Sequence, residues 1–184
     1  METGIRLFVA STLPVEIKDF LQQQAQVYNH PSVRLVPEQN LHLTLFFIGN
    51  TSTTALPGIK EILQKIVAEH HAFRLQYLCT EPGPNPRSPR LVWARFIQHP
   101  EFEKLSRSLA GALLPEQNAK QKPIPHITLA RYKKNDPAPP PVPLQQSPSN
   151  INFYVNSISL WQSVLASPHP VYNVLETYQL PLKP

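Results

Sequence analysis

The sequence predicts an α+β fold made of two similar lobes. Three observations carry this. Strand-like runs come in antiparallel-looking groups interrupted by helical patterns, an order typical of α+β rather than alternating α/β chains. The order strand, helix, strand, strand recurs loosely along the chain. The tetrapeptide pattern histidine, apolar residue, threonine, leucine also occurs twice, at His42 and at His126.

The elements follow in order. IRLFVAS (5–11) has strand composition, and PVEIKDFLQQQAQVY (14–28) reads as a helix. Pro14 suits its first turn, and Ile17, Phe20, Leu21 and Tyr28 share a face. VRLV and LHLTLFFIG read as strands separated by turn-like PEQN. Ile59, Ile62, Leu63, Ile66 and Val67 form a stripe at helical spacing. FRLQYLC (73–79) reads as a strand, and TEPGPNPRSP (80–89) as a loop, because its four prolines remove backbone donors. RLVWARFI (90–97) is the next strand, and a helix over 101–114 turns Phe102, Leu105, Leu109 and Leu113 inward. HITLARY (126–132) is a strand. DPAPPPVPLQQSPS (136–149) reads as an extended surface connector. Two late strands, near NFYVNSISLWQS and YNVLETYQL, complete the pattern, which we read as one domain of two lobes over 1–184.

Composition removes several function classes. Asp19 and Asp136 are the sole aspartates, which disfavours paired-carboxylate glycosidases and two-metal nucleases. The single cysteine, Cys79, excludes an internal disulfide and suits a reducing compartment. The start METGIRLFVAST lacks the basic and apolar regions of a signal peptide, and no run is long enough to span a membrane. A cytoplasmic protein without an obligate protein partner is expected. The formal charge of +5 favours anions such as phosphates without proving nucleic-acid binding.

The repeated tetrapeptide carries the chemistry. In a strand, side chains alternate between faces. His42 and Thr44 therefore share one face and Leu41, Leu43 and Leu45 the other; His126 and Thr128 likewise oppose Ile127 and Leu129. A single such strand is an ordinary half-buried surface. Packing alone does not explain the same pair of polar residues chosen twice. Two imidazoles facing one another across a cleft suit displacement at phosphorus. One removes a proton from water while the other, as imidazolium, protonates the leaving oxygen, and threonine hydroxyls hold the non-bridging oxygens. Neither motif brings a third nearby metal ligand and no H-E-x-x-H is present, so no metal and no other cofactor is expected.

HLTL and HITL resemble the paired motifs of the two-histidine phosphoesterase superfamily, in particular its RNA 2′,3′-cyclic phosphodiesterase, or 2′-5′ RNA ligase-like, branch. IRLFVASTLP, VRLVPEQNLHLTLFFIG, PRLVWARF, KPIPHITLARY and PVYNVLETYQL are similar to successive blocks of that family. The resemblance implies a bilobal fold whose two antiparallel sheets line a central cleft, with helices outside. It implies metal-independent hydrolysis of a 2′,3′-cyclic phosphate to a 2′-phosphate, on RNA 3′ ends or on nucleotides. In that carry-over His42 is the proton donor to the 3′ oxygen and His126 the base for water; the residues alone leave the two roles interchangeable. Reverse 2′-5′ ligation is a further implication. Alternatives are a non-catalytic RNA-end binder and the same chemistry on a small cyclic nucleotide such as one derived from ADP-ribose.

Other residues extend the site. Arg131 stands where the family often has a phosphate-binding arginine, but strict alternation puts it opposite His126 unless the strand bulges. Phe8 is a candidate base-stacking residue, although a core aromatic is the stronger expectation, and Tyr132 is a comparable case. Phe46 occupies a position where the family more often has a polar residue, and alternation places it on the His42 face. Lys120, Lys122 and Arg34 flank the motif strands as a basic rim. Trp93 and Trp161 read as core or rim, and His30, His70, His71, His99 and His169 lack a matching context.

Overall fold

The structure, a computed structural model, describes residues 4–85, 87–114, 122–134, 145–146 and 151–183. The elements are β1 (Gly4–Ser11), α1 (Val15–Gln26), β2 (Val33–Leu35), β3 (Leu43–Ser52), α2 (Leu56–Ala68), β4 (Phe73–Gly83), β5 (Leu91–Phe96), α3 (Pro100–Leu113), β6 (His126–Tyr132), β7 (Gln145–Gln146), β8 (Asn152–Val155), β9 (Ser157–Val164) and β10 (Val171–Gln179). They form an α+β fold of two sheets with antiparallel pairing throughout the described strands. One sheet has the order β10-β9-β1-β3 and the other β2-β6-β5-β4-β7, with β8 also pairing β4.

The chain weaves between the sheets. β2, from the first half, joins the second sheet, while β9 and β10, near the C-terminus, return to the first. The run NFYVNSISLWQS, read from sequence as one strand, divides at Asn156: β8 pairs β4 and β9 pairs β10. Both halves keep a strand pattern, so composition conceals the change of partner. Leu180 N–H donates to the Asn156 carbonyl at 2.8 Å, holding the crossover.

The motif strands β3 and β6 sit in different sheets and approach one another where the sheets meet. Their apolar faces are anchored by helices, α3 against β3 and α1 against β6. Leu41, Leu43, Leu45, Ile127 and Leu129 are all buried in a core that also takes Leu21 of α1, Leu63 of α2 and Leu105 of α3. Fully burying such a side chain contributes about 1.5–3 kcal/mol, which fixes which face of each strand remains for the cleft.

The predicted loop over 80–89 begins later than expected. β4 continues to Gly83, and Thr80 to Gly83 pair with Ala94 to Leu91 of β5. Pro82 lies in β4 yet leaves this ladder intact, since proline lacks a donor but keeps its carbonyl. The predicted proline-rich connector over 136–149 and Lys120 lie outside the described residues, apart from the short β7. His70 is buried, and its Nε2 meets Ser108 Oγ at 3.0 Å, tying the end of α2 to α3. His99 caps α3 by accepting from Glu101 N–H.

Candidate active site

His42 and His126 line the same cavity, of about 310 Å³, together with Thr44 and Thr128. Each imidazole is held in the same way. His42 Nδ1 lies 2.7 Å from the Asn40 carbonyl and His126 Nδ1 lies 2.8 Å from the Ile124 carbonyl, in both cases two residues upstream. A carbonyl oxygen only accepts, so Nδ1 carries the proton and Nε2 is the nitrogen free to exchange one. Asn40, itself buried, uses its Nδ2 to donate to the Pro170 carbonyl at 2.8 Å. That bond ties the turn after β9 to the first motif, and Pro168, His169 and Pro170 form part of the cavity wall.

Both motif strands bulge at the same place. In β3, Val9 pairs with Phe46 and Ala10 with Thr44, leaving Leu45 as the extra residue. In β6, Val92 pairs with Ala130 and Trp93 with Thr128, leaving Leu129 extra. A bulge resets the alternation of faces. Leu45 and Phe46 therefore both pack on the core, as do Leu129 and Ala130. The next residue of each strand, Phe47 or Arg131, turns into the cavity. Arg131 thus reaches the cleft through the bulge that strict alternation omits. Phe46 does not: the cleft aromatic is Phe47, which is 59% exposed. A second shift in β3 falls beside Gly49, whose φ of 86° is readily adopted by glycine.

The two imidazoles rest on different beds. His42 has ring centroids of Phe8, Tyr172 and Trp161 at 5.0, 5.3 and 5.7 Å. His126 has Trp93 at 4.9 Å in an edge-to-face arrangement. Desolvation in these beds disfavours the charged imidazolium. It lowers the pKa of His42 from 6.5 to about 4, with the nearby Arg131 and His126 acting in the same direction and the Asn40 carbonyl opposing. His126 is also lowered, first by burial and then by Arg131 and Arg95, against the Ile124 bond.

The remaining predicted residues separate. Phe8 is 2% exposed and belongs to a small cluster with Ala10 and Trp161, so it floors His42 and offers no open face to a base. Trp161 and Trp93 are buried as expected, but each lies directly against a motif histidine. Tyr132 packs partly against the core. Arg34 lines the cavity and donates from Nη1 to the Pro168 carbonyl at 2.8 Å. Lys122 turns instead to Glu103, at 3.3 Å, and is not a rim cation. His169 and Tyr172 both line the cavity although the sequence reading set the first aside and did not single out the second. Their signal was indirect, since contact with the first motif depends on β10 pairing beside β9. Among the described residues, no three metal-ligating side chains gather, and no helix is long and apolar enough to cross a membrane.

An α+β fold of two antiparallel sheets with paired H-x-T-L strands facing one cavity defines the class. Residues 13–165 match the model of the 2′-5′ RNA ligase superfamily, and the chain belongs to that family. Among its relatives is the RNA 2′,3′-cyclic phosphodiesterase of Thermus thermophilus, 34% identical over 96% of this chain and 90% of the relative. The protein of the same name from Archaeoglobus fulgidus is 27% identical over 95% of this chain and 100% of its own length. The solved structure of TT0787 from Thermus thermophilus superposes with a TM-score of 0.82 at 30% identity, covering 97% of this chain and 99% of that one. Escherichia coli LigT complexed with NADP+ gives 0.76 at 26% identity, with the same two coverages, 97% and 99%.

Proposed function

We propose that this protein, acting as a single two-lobed unit, hydrolyses RNA 2′,3′-cyclic phosphate ends to 2′-phosphates by metal-independent acid–base catalysis between His42 and His126. The observation that carries this reading is the matched pair of imidazoles, each with Nδ1 held by a carbonyl, beside two threonines and two arginines on one cavity. Water attacks phosphorus and gives its proton to His126 Nε2. The bond from phosphorus to the 3′ oxygen breaks, and His42 Nε2 supplies the proton that completes the 3′-hydroxyl. Thr44 and Thr128 hydroxyls donate to the non-bridging oxygens, and Arg131 offsets the charge that accumulates there. The same groups, with a 5′-hydroxyl attacking phosphorus in place of water and the 3′ oxygen again leaving, would join a 2′,3′-cyclic end to that hydroxyl through a 2′-5′ linkage.

The names of the relatives support the substrate class. Structures of the neighbour LigT with phosphate and with 3′-AMP support a cavity suited to a nucleotide phosphate. In the free protein His42 is neutral at pH 7, because its pKa sits near 4. An anionic cyclic phosphate between the imidazoles favours the protonated ring, so substrate and catalytic proton enter together.

The test is turnover of a nucleoside 2′,3′-cyclic phosphate in EDTA, with products separated by chromatography. The expected product is the 2′-phosphate alone, and His42→Ala and His126→Ala should each lose activity while melting near the wild-type temperature. Full activity in either folded variant, or inhibition by EDTA reversed by zinc, would overturn the mechanism.

A further inference from the structure

Next to His126 the second sheet carries a group of side chains that the reaction scheme leaves unused. Arg95 of β5 is the direct cross-strand partner of His126, and Trp93 that of Thr128. On the other side Trp93 pairs with Glu81 of β4, and Arg95 with Cys79. Directly paired residues project to the same face of a sheet, so these groups extend the face of the second motif away from the cleft. Within that face Arg95 Nη1 donates to Glu81 Oε1 at 2.8 Å. The guanidinium lies 5.9 Å from the centre of the Trp93 ring, a cation–π distance. Trp93 in turn meets the His126 ring edge-to-face at 4.9 Å. The backbone of Gly83 also closes on the indole, near enough that a Cβ would come within 2.6 Å of it.

An ion pair across neighbouring strands is commonly a ladder contact only, and an exposed one contributes little. Three observations set this one apart. Both partners are partly buried, with 34% and 23% of their side chains exposed. Arg95 Nε and Trp93 Nε1 are buried without a hydrogen-bond partner, so the Glu81 bond and packing are what hold the guanidinium and the indole. The third observation is charge. His42, Tyr172, His169, Arg34 and Arg131 share the cavity with His126, and Arg95 and Cys79 stand beside it on the sheet. Glu81 is the carboxylate of this set, and Arg95 engages it. The charge of Arg95, like that of Arg131, disfavours protonation of His126.

We propose that Glu81 and Arg95 are positioning residues for His126: the carboxylate holds the guanidinium against Trp93, and the indole so fixed sets the direction in which the imidazole presents Nε2 to the cleft. Glu81 also keeps the guanidinium turned away from the imidazole that is its cross-strand neighbour. Neither residue touches the reacting phosphate. The kinetic consequence rests on the acid–base reading under Proposed function, whereas the effect on His126 can be read without turnover.

The first measurement is NMR titration of His126 in the free protein, comparing Glu81→Gln and Arg95→Met with the wild type. Arg95→Met removes a cation, so the His126 pKa should rise by about half a pH unit, as expected of one partly screened charge on a neighbouring strand. Glu81→Gln leaves that cation uncompensated and free to swing towards the imidazole, so the pKa should fall by about as much. Shifts of the same sign, or no shift in one or both variants, would overturn the proposal.

The second measurement is turnover of a nucleoside 2′,3′-cyclic phosphate. Both variants should lose about tenfold in kcat with KM within about twofold, since the cavity wall that meets the substrate is intact while the base is misdirected. A kcat per folded molecule equal to that of the wild type would mean a purely structural ion pair and sink the proposal. Arg95→Lys covers the case in which a neutral variant does not fold. Its ammonium keeps the charge and a bond to Glu81 but has no planar face to lay on the indole. It should leave the His126 pKa within about 0.2 of the wild type and still lower kcat about threefold; an unaltered kcat there would count equally against the proposal. Opposite titration shifts alongside a wild type that turns over no cyclic phosphate would instead overturn the phosphodiesterase reading and leave the positioning pair standing.

Discussion

The motif strands β3 and β6 share a backbone design and differ in what they present. Each ties a histidine Nδ1 to the carbonyl two residues upstream, aims a threonine beside it, and bulges at the following leucine. The residue that the bulge returns to the cavity is then Phe47 in one strand and Arg131 in the other. The bed beneath differs too, with three aromatic rings around His42 and one beside His126. The shared part fixes geometry, because a proton relay needs both Nε2 atoms held. The divergent part sets charge: one strand brings a cation to the cavity, which the proposed mechanism uses for the phosphate, and the other a deeper apolar seat that disfavours the charged form of its imidazole.

Four measurements bear on that contrast. The largest effect is expected for the histidines themselves. His42→Ala and His126→Ala should each lower kcat by about 10²–10⁴-fold, and the double variant should lose little more than the worse single one, since the two act as a unit. Fully multiplicative losses would show two independent contributions.

Arg131→Ala should come next. Losing a charge-assisted hydrogen bond costs about 1.5–3 kcal/mol, which is roughly a 10–150-fold fall in kcat/KM. Phe47→Ala should cost far less, and similar losses at the two bulge positions would erase the proposed difference between the strands. Arg131→Ala should also move both histidine pKa values upward, because its charge now lowers each; NMR titration of the free variant would read this.

Gly83→Ala probes the thinner bed. A Cβ there would stand 2.6 Å from Trp93 Cε2, so the indole that packs against His126 must move. Overpacking of this kind costs about 1–3 kcal/mol of stability. The kinetic loss should fall mainly on kcat, whereas a purely structural disturbance would leave kcat per folded molecule unchanged.

The smallest effects are those of pH on the wild type. Both imidazoles have pKa values held below 6.5 in the free protein. The bell in kcat/KM should therefore peak below about pH 6.5 and fall as pH rises and the required imidazolium is lost. The bell in kcat should lie at higher pH, because the bound anion favours protonation; coincident bells would contradict that coupling. For stability the sign is the reverse. With the folded pKa of His42 near 4, the unfolded chain binds more protons between about pH 6.5 and 4. This contribution is full above that window and is lost as pH falls through it, so chemical denaturation should show stability declining with acidity and His42→Phe should flatten the decline.

The two motif faces are legible in the sequence alone. Leucine and isoleucine at alternate positions demand a core on one side, which leaves His42, Thr44, His126 and Thr128 on the other. The three helices are legible too, because their apolar stripes recur at helical spacing. Other features needed the folded chain. Period-two reading placed Phe46 and Arg131 on the wrong faces, because a bulge adds one residue without marking its composition. Strand pairing also decided the aromatic bed of His42, since Phe8, Trp161 and Tyr172 come from β1, β9 and β10, far apart in sequence. The meeting of two arginines at the cavity arose in the same way: Arg34 and Arg131 are distant along the chain, and only the register of β2 on β6 sets them opposite each other. Local alternation is written in neighbouring residues, whereas pairing across strands is fixed by how the whole core closes.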